Sequence, residues 1–166
     1  MTTIPSRVPS VAPTERLGIA WVLLGLATGL HVFDEASTNF LGVYNPTVMA
    51  LREKLGYWPM PTFTFETWLT GLIVGVVVML SLSPLVFHGA RWIRPLFYFL
   101  AIVMVLNACG HTLGTIFGRT LSGIRFPRPM PGFYSSPFLL AAAVYGLWQL
   151  RRTRPGNYSP NDSATN

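Results

Sequence analysis

Cysteine and acidic residues are scarce in this chain. Its one cysteine, Cys109, lies inside an apolar run and there is no C-x-x-C, so neither a disulfide framework nor a thiolate metal site is on offer. The plain reading of Cys109 is a small buried hydrophobe. Only six Asp and Glu stand against twelve Lys and Arg. Charged residues make up 11% of the sequence against a usual quarter, which together with a half-apolar composition excludes an ordinary soluble core and fits several membrane crossings. The net charge of +6 does not point to nucleic acid, because the cations stand in short flanks between apolar runs. No A-x-A pattern ends the first apolar run, so it reads as a retained span. A length of 166 residues leaves room for one domain.

These patterns predict an all-α integral membrane protein, a four-transmembrane-helix bundle with a short interfacial amphipathic helix in the first loop. Residues 1–13 and 153–166, rich in Pro, Ser, Thr and Asn, read as disordered tails around a membrane domain over 14–152. Two N-x-S patterns in the C-terminal tail, at Asn157 and Asn161, carry little weight. Thr14 is a candidate N-cap for the first span, with Glu15 in its first turn. Leu17 to Phe33 runs without a formal charge and the helix is expected to continue past Glu35. The later spans are Thr67 to Ala90, with Pro84 kinking or ending it, Pro95 to Gly118, and Pro137 to Leu150. In the first loop Asn45-Pro46 resembles a cap with proline at the first helical position, and Gly56 a stop. Val48, Leu51 and Leu55 face one way, Arg52, Glu53 and Lys54 the other, and Tyr57 and Trp58 follow as membrane anchors. Gly25 and Gly29, and Gly110 and Gly114, have small-residue spacing that would bring the first and third spans close and offers faces for a homo-oligomer.

The chemistry-bearing residues sit at one end. His31, Asp34 and Glu35 are three and four residues apart, hence on one side of a helix, at its exit from the membrane. Counting along the helix puts His31 ~21 Å past Leu17. Glu66 opens the second span, and Asn107 and His111 share a face ~18 and ~24 Å along the third. Each alone could bridge helices or snorkel. Together they are candidates for one catalytic cavity, because ionisable groups in a span face a partner or a wet cavity. Seven Arg on the side of the termini against five Lys and Arg on the other place both termini in the cytoplasm.

The run His31-Val32-Phe33-Asp34-Glu35, then Asn107-Ala108-Cys109-Gly110-His111, then Pro131-Gly132, resembles the HXXEE-domain membrane proteins of bacteria and fungi. There a helix-borne H-x-x-E-E precedes an N-x-x-x-H in the third hydrophobic segment and a Pro-Gly before the last. The similarity spans roughly residues 17 to 150, with Asp34 where the first Glu is expected. It implies a membrane bundle with a site on these motifs, and assigns no reaction.

Two His and several carboxylates without thiolates suit a divalent metal such as zinc, iron or manganese. The expected ligands are His31, Glu35 and His111, with Asp34 or Glu66 as a further ligand or orienting group. This chemistry leans toward a metal-dependent hydrolase or lyase acting on a lipid- or isoprenoid-like substrate drawn from the bilayer. Open beside it are a metal-free acid–base isomerase or cyclase of sterol or terpene type and a non-enzymatic metal-binding or transport protein. Arg119, Arg125 and Arg128, with Tyr134, are candidates for binding a substrate headgroup; contact with anionic lipid is their other reading. The expected location is a bacterial inner membrane or a eukaryotic endomembrane.

Overall fold

The structure, a computed structural model, describes residues 12–120, 123–126 and 128–153. The expected tails therefore lie almost wholly outside the described residues. The chain builds α1 (Pro13–Ser37), α2 (Leu41–Leu55), α3 (Phe65–Ser81), α4 (Ser83–Phe87), α5 (Ile93–Phe117) and α6 (Ser136–Arg152). Among the described residues there is no sheet, only one bridge between Arg119 and Arg125. Three rods are long and apolar enough to cross a membrane: α1, α3 continued by α4 over Phe65–Phe87, and α5. With 17 residues α6 is shorter, ~25 Å of helix against ~30 Å of hydrocarbon.

Several boundaries differ from the sequence expectation. Thr14 caps nothing: α1 starts at Pro13 behind Ala12, whose side chain makes no cap bond, because proline lacks the N–H that the first turn leaves unpaired. Asn45-Pro46 does not open α2, which begins at Leu41 and carries Pro46 inside it. The Asn45 side chain instead clamps the following loop, donating to Phe63 O at 2.9 Å and accepting from Phe63 N at 3.1 Å. Gly56 does end α2, with φ 71°. The second rod breaks at Leu82, and Pro84 falls in the first turn of α4. Cys109 is exposed on α5, not buried.

The core lies between α1, α5 and α6, where Trp21, Leu24, Phe97, Ala101, Leu139 and Ala143 are fully buried. Trp21 packs edge-on against Phe97 at 5.1 Å and donates its indole N–H to Met79 O at 2.8 Å. Glycines set the helix spacing, but not between the expected pair. A Cβ on Gly25 would lie 2.6 Å from Leu80 of α3, and one on Gly18 would overlap Phe87 of α4. The small face of α1 thus seats the second rod. Gly110 meets open space and Gly114 faces Met130, so these two do not draw α5 onto α1.

Arg94 donates to Leu150 O at 2.9 Å and to Thr153 Oγ1 at 3.1 Å, tying the start of α5 to the end of α6. The start of α1 meets Gly89 just after α4. The opposite end therefore gathers the end of α1, the start of α3, the end of α5 and the start of α6. The polar residues lie there.

Candidate metal centre

A three- and four-residue spacing on α1 turns His31, Asp34 and Glu35 toward the bundle axis. All three are buried, and so is His111 from α5. The imidazoles of His31 and His111 meet edge-on, 4.8 Å between ring centres. Glu35 Oε1 lies 3.0 Å from His111 Nε2 and 3.4 Å from His31 Nε2. Glu35 Oε1 is thus at ion-pair distance from both imidazoles, yet it and His31 Nε2 close no well-formed hydrogen bond, and on the far side of its ring, beside Gly132, His111 Nδ1 has none either. One donor atom from each of His31, Glu35 and His111 falls within 4.8 Å of the others, so the group can hold a metal ion. Two of the three separations, 3.0 and 3.4 Å, are close to the ~3.3 Å expected between neighbouring ligands of one small cation at ~2.0–2.1 Å bonds, and the two imidazole donors lie within 4.8 Å of each other.

Asp34 works differently. Its Oδ2 accepts Ser135 N–H at 2.8 Å and the Ser135 hydroxyl at 2.8 Å. It therefore caps α6 from across the bundle, a carboxylate at the positive end of that helix. The Ser135 hydroxyl also lies 2.7 Å from His31 Nδ1. A hydroxyl has one hydrogen, and it goes to Asp34 Oδ2 at 2.8 Å or Gly132 O at 3.2 Å. The serine lone pair is then placed to accept from His31 Nδ1–H, and a neutral imidazole held that way turns its Nε2 lone pair toward Glu35. That is the tautomer a metal ligand needs.

The turn before α6 lies across both rings. Gly132 has φ +82°, and a Cβ on it would sit 2.8 Å from His111 Cε1 and 2.9 Å from His31 Cε1. Three side chains hold that turn. Thr115, anchored on His111 O at 2.9 Å, accepts Met130 N–H at 2.9 Å. Thr38, anchored on Asp34 O, accepts Gly132 N–H at 3.3 Å. Asp34 holds Ser135.

The other sequence candidates fall elsewhere. Glu66 is exposed in the first turn of α3 and does not join the cluster. Asn107 is half-buried, one turn below His111, and its Oδ1 has no hydrogen-bond partner. Arg119, Arg125, Arg128 and Tyr134 are exposed in the loop between α5 and α6. A groove of about 590 Å³ runs beside the centre, with Asn107, His111 and Arg119 on its wall and Leu51, Trp58 and Phe117 among its apolar lining. His31, Asp34, Glu35 and Glu66 do not line it.

Ser135 is the residue that sequence reasoning missed. Its signal was there: Ser135-Ser136-Pro137 ahead of an apolar run is a helix start, and a serine at that position has a hydroxyl to share. No family model, curated protein or solved structure matches the chain. The resemblance to HXXEE-domain proteins therefore rests on its motif residues alone.

Proposed function

We propose that the chain is an integral membrane enzyme whose His31, Glu35 and His111 hold one divalent cation, and that it acts as a hydrolase or lyase on a lipid- or isoprenoid-like substrate. One observation carries this reading: three buried donors converge at ion-pair distance and yet leave His31 Nε2 and Glu35 Oε1 without a well-formed hydrogen bond. Unsatisfied buried polar atoms cost about 1–3 kcal/mol each, and a shared cation removes that cost. A donor set of two imidazoles and one carboxylate suits zinc, iron or manganese. Bound there, such a cation supplies Lewis acidity toward an oxygen of substrate or water. The chain's own part is to fix His31 through Asp34 and Ser135, and to keep the centre dry beneath Gly132.

In the same reading α6 is a fourth span, α2 lies on the membrane surface with Tyr57 and Trp58 as anchors, and both termini are cytoplasmic. Membership of the HXXEE family is part of the proposal and is supported by the three motifs. A metal-free acid–base isomerase has its own support, since Glu35 Oε1 stands within proton-transfer reach of two imidazoles.

Elemental mass spectrometry of protein purified without chelator separates the two. The expected result is one zinc, iron or manganese per chain in the parent, lost in His111→Ala and Glu35→Gln while both variants stay helical and elute as the parent does. A parent that remains metal-free after exposure to all three ions refutes the metal centre and leaves the acid–base reading.

A further inference from the structure

We infer that the groove between α2 and α5 binds a single-chain anionic amphiphile, its anion at Arg119 and its chain reaching His111. This names a substrate class for the centre and so rests on the proposed function for its chemistry, though not for the binding itself. Counting one heavy atom per ~30 Å³, the share of one water in the liquid, the half-open groove of about 590 Å³ accommodates about 20 such atoms, the size of one long chain with a small head. Its lining is largely apolar, with Leu51, Trp58, Leu113, Phe117 and Met130 on the walls, and no carboxylate contributes. Such a wall takes a hydrocarbon chain, with a few polar groups to fix its orientation.

Charge selects the head. Arg119, on the groove wall, is paired across the antiparallel bridge with Arg125. Like charges directly opposite one another are unfavourable without a counter-ion, and among the described residues neither arginine has an acidic partner. A carboxylate or phosphate at the mouth provides it. The inner end offers the half-buried Asn107, whose Oδ1 lacks a partner, and the buried His111. His111 lies six residues, ~9 Å at helical rise, before the end of α5 at Phe117, and Arg119 follows just beyond the left-handed Gly118. The part of the chain exposed to the centre therefore lies some way along the tail from the anion.

The wall also supplies a plug. Gly110 lines the groove and a Cβ on it meets nothing within 4 Å, so Gly110→Leu starts from open space and takes up groove volume. Protein in phosphatidylcholine nanodiscs is labelled with a diazirine-bearing fatty acid, before and after treatment with a chelator, and adducts are mapped by peptide mass spectrometry. Metal content is measured on the same samples. Adducts are expected on the α2 and α5 segments that hold Leu51, Leu113 and Phe117. Oleate should displace the probe at tenfold or more lower concentration than oleyl alcohol. Gly110→Leu should cut labelling at least tenfold, and Arg119→Gln, at an exposed site, should abolish the preference of oleate over the alcohol. Labelling that persists at parental level in Gly110→Leu overturns the proposal. So does displacement by phosphatidylglycerol or oleyl alcohol at the concentration that suffices for oleate. Labelling of the expected segments by a protein that never binds metal would leave the groove standing and defeat the metal centre alone.

Discussion

Replacing Gly132 by alanine puts one methyl group against both candidate ligands at once. At φ +82° the new Cβ would lie 2.8 Å from His111 Cε1, 2.9 Å from His111 Nδ1 and 2.9 Å from His31 Cε1. Carbon atoms rest ~3.5–4.0 Å apart, so the rings or the turn must give by about 0.7 Å. Overpacking of this kind costs about 1–3 kcal/mol, and a left-handed alanine adds ~1–2 kcal/mol. The second cost can be isolated, because Gly123 has φ +86° and open space around its Cβ. Gly123→Ala should therefore show the backbone strain alone and keep the parent's metal content. Gly132→Ala should melt lower than Gly123→Ala by the packing part, roughly 2–12 °C for a chain of this size. It should also lose bound metal, since ligands displaced by more than about 0.5 Å no longer hold a productive geometry. The assay is parallel thermal denaturation in one detergent, with elemental analysis of each sample. If the two variants melt together and both keep metal, the turn does not pack on the imidazoles and the geometry described for the centre is wrong.

Ser135→Ala removes the acceptor of His31 Nδ1–H and one of the two bonds to Asp34; the expected outcome is metal affinity weakened 10- to 100-fold in a folded protein, measured by competition with a chromogenic chelator, and unchanged affinity would refute the orienting role. Glu66→Gln, at an exposed residue outside the cluster, should leave metal content unchanged and stability within about 0.5 kcal/mol; loss of metal would bring Glu66 back as a ligand.

What the sequence revealed and what it hid follow from one distinction. Depth and face along a helix are read by counting, so the meeting of His31, Asp34, Glu35 and His111 was legible from spacings of three and four and from rise along the axis. Which helix faces which is set by packing that counting does not reach. The small face of α1 was assigned to α5, and instead Leu80 and Phe87 of the second rod fill it. Glu66 had the right depth and the wrong azimuth. Proline misled twice, at Pro13 and Pro46, because a missing N–H is compatible with a helix start and also, at a tolerable cost, with a helix interior. Asp34 could not be told from Glu35 by spacing. One methylene less keeps its carboxylate at the capping distance from Ser135 while Glu35 reaches the two rings.

That division of labour bears on whether the cluster exists for structure or for chemistry. Asp34, Ser135, Thr38 and Thr115 each close a bond that fastens the turn before α6. Groups of this kind hold a fold, and their satisfaction is what a fold demands of buried polar atoms. His31, Glu35 and His111 lie within the same few ångströms, at ion-pair distance, with His31 Nε2 and Glu35 Oε1 closing no hydrogen bond. A cluster that served only to join α1 to α5 would gain by closing those bonds, or by replacing the trio with apolar side chains of similar volume, since buried ionisable groups are often no better than hydrophobic ones for stability. Instead the satisfied half is used to aim the unsatisfied half. Ser135 takes up His31 Nδ1, Gly132 brings the backbone onto both rings where a side chain would clash, and the two Nε2 atoms face Glu35 Oε1. An arrangement that fixes its donors in this way can hold an ion between them, which is what the proposed metal centre requires.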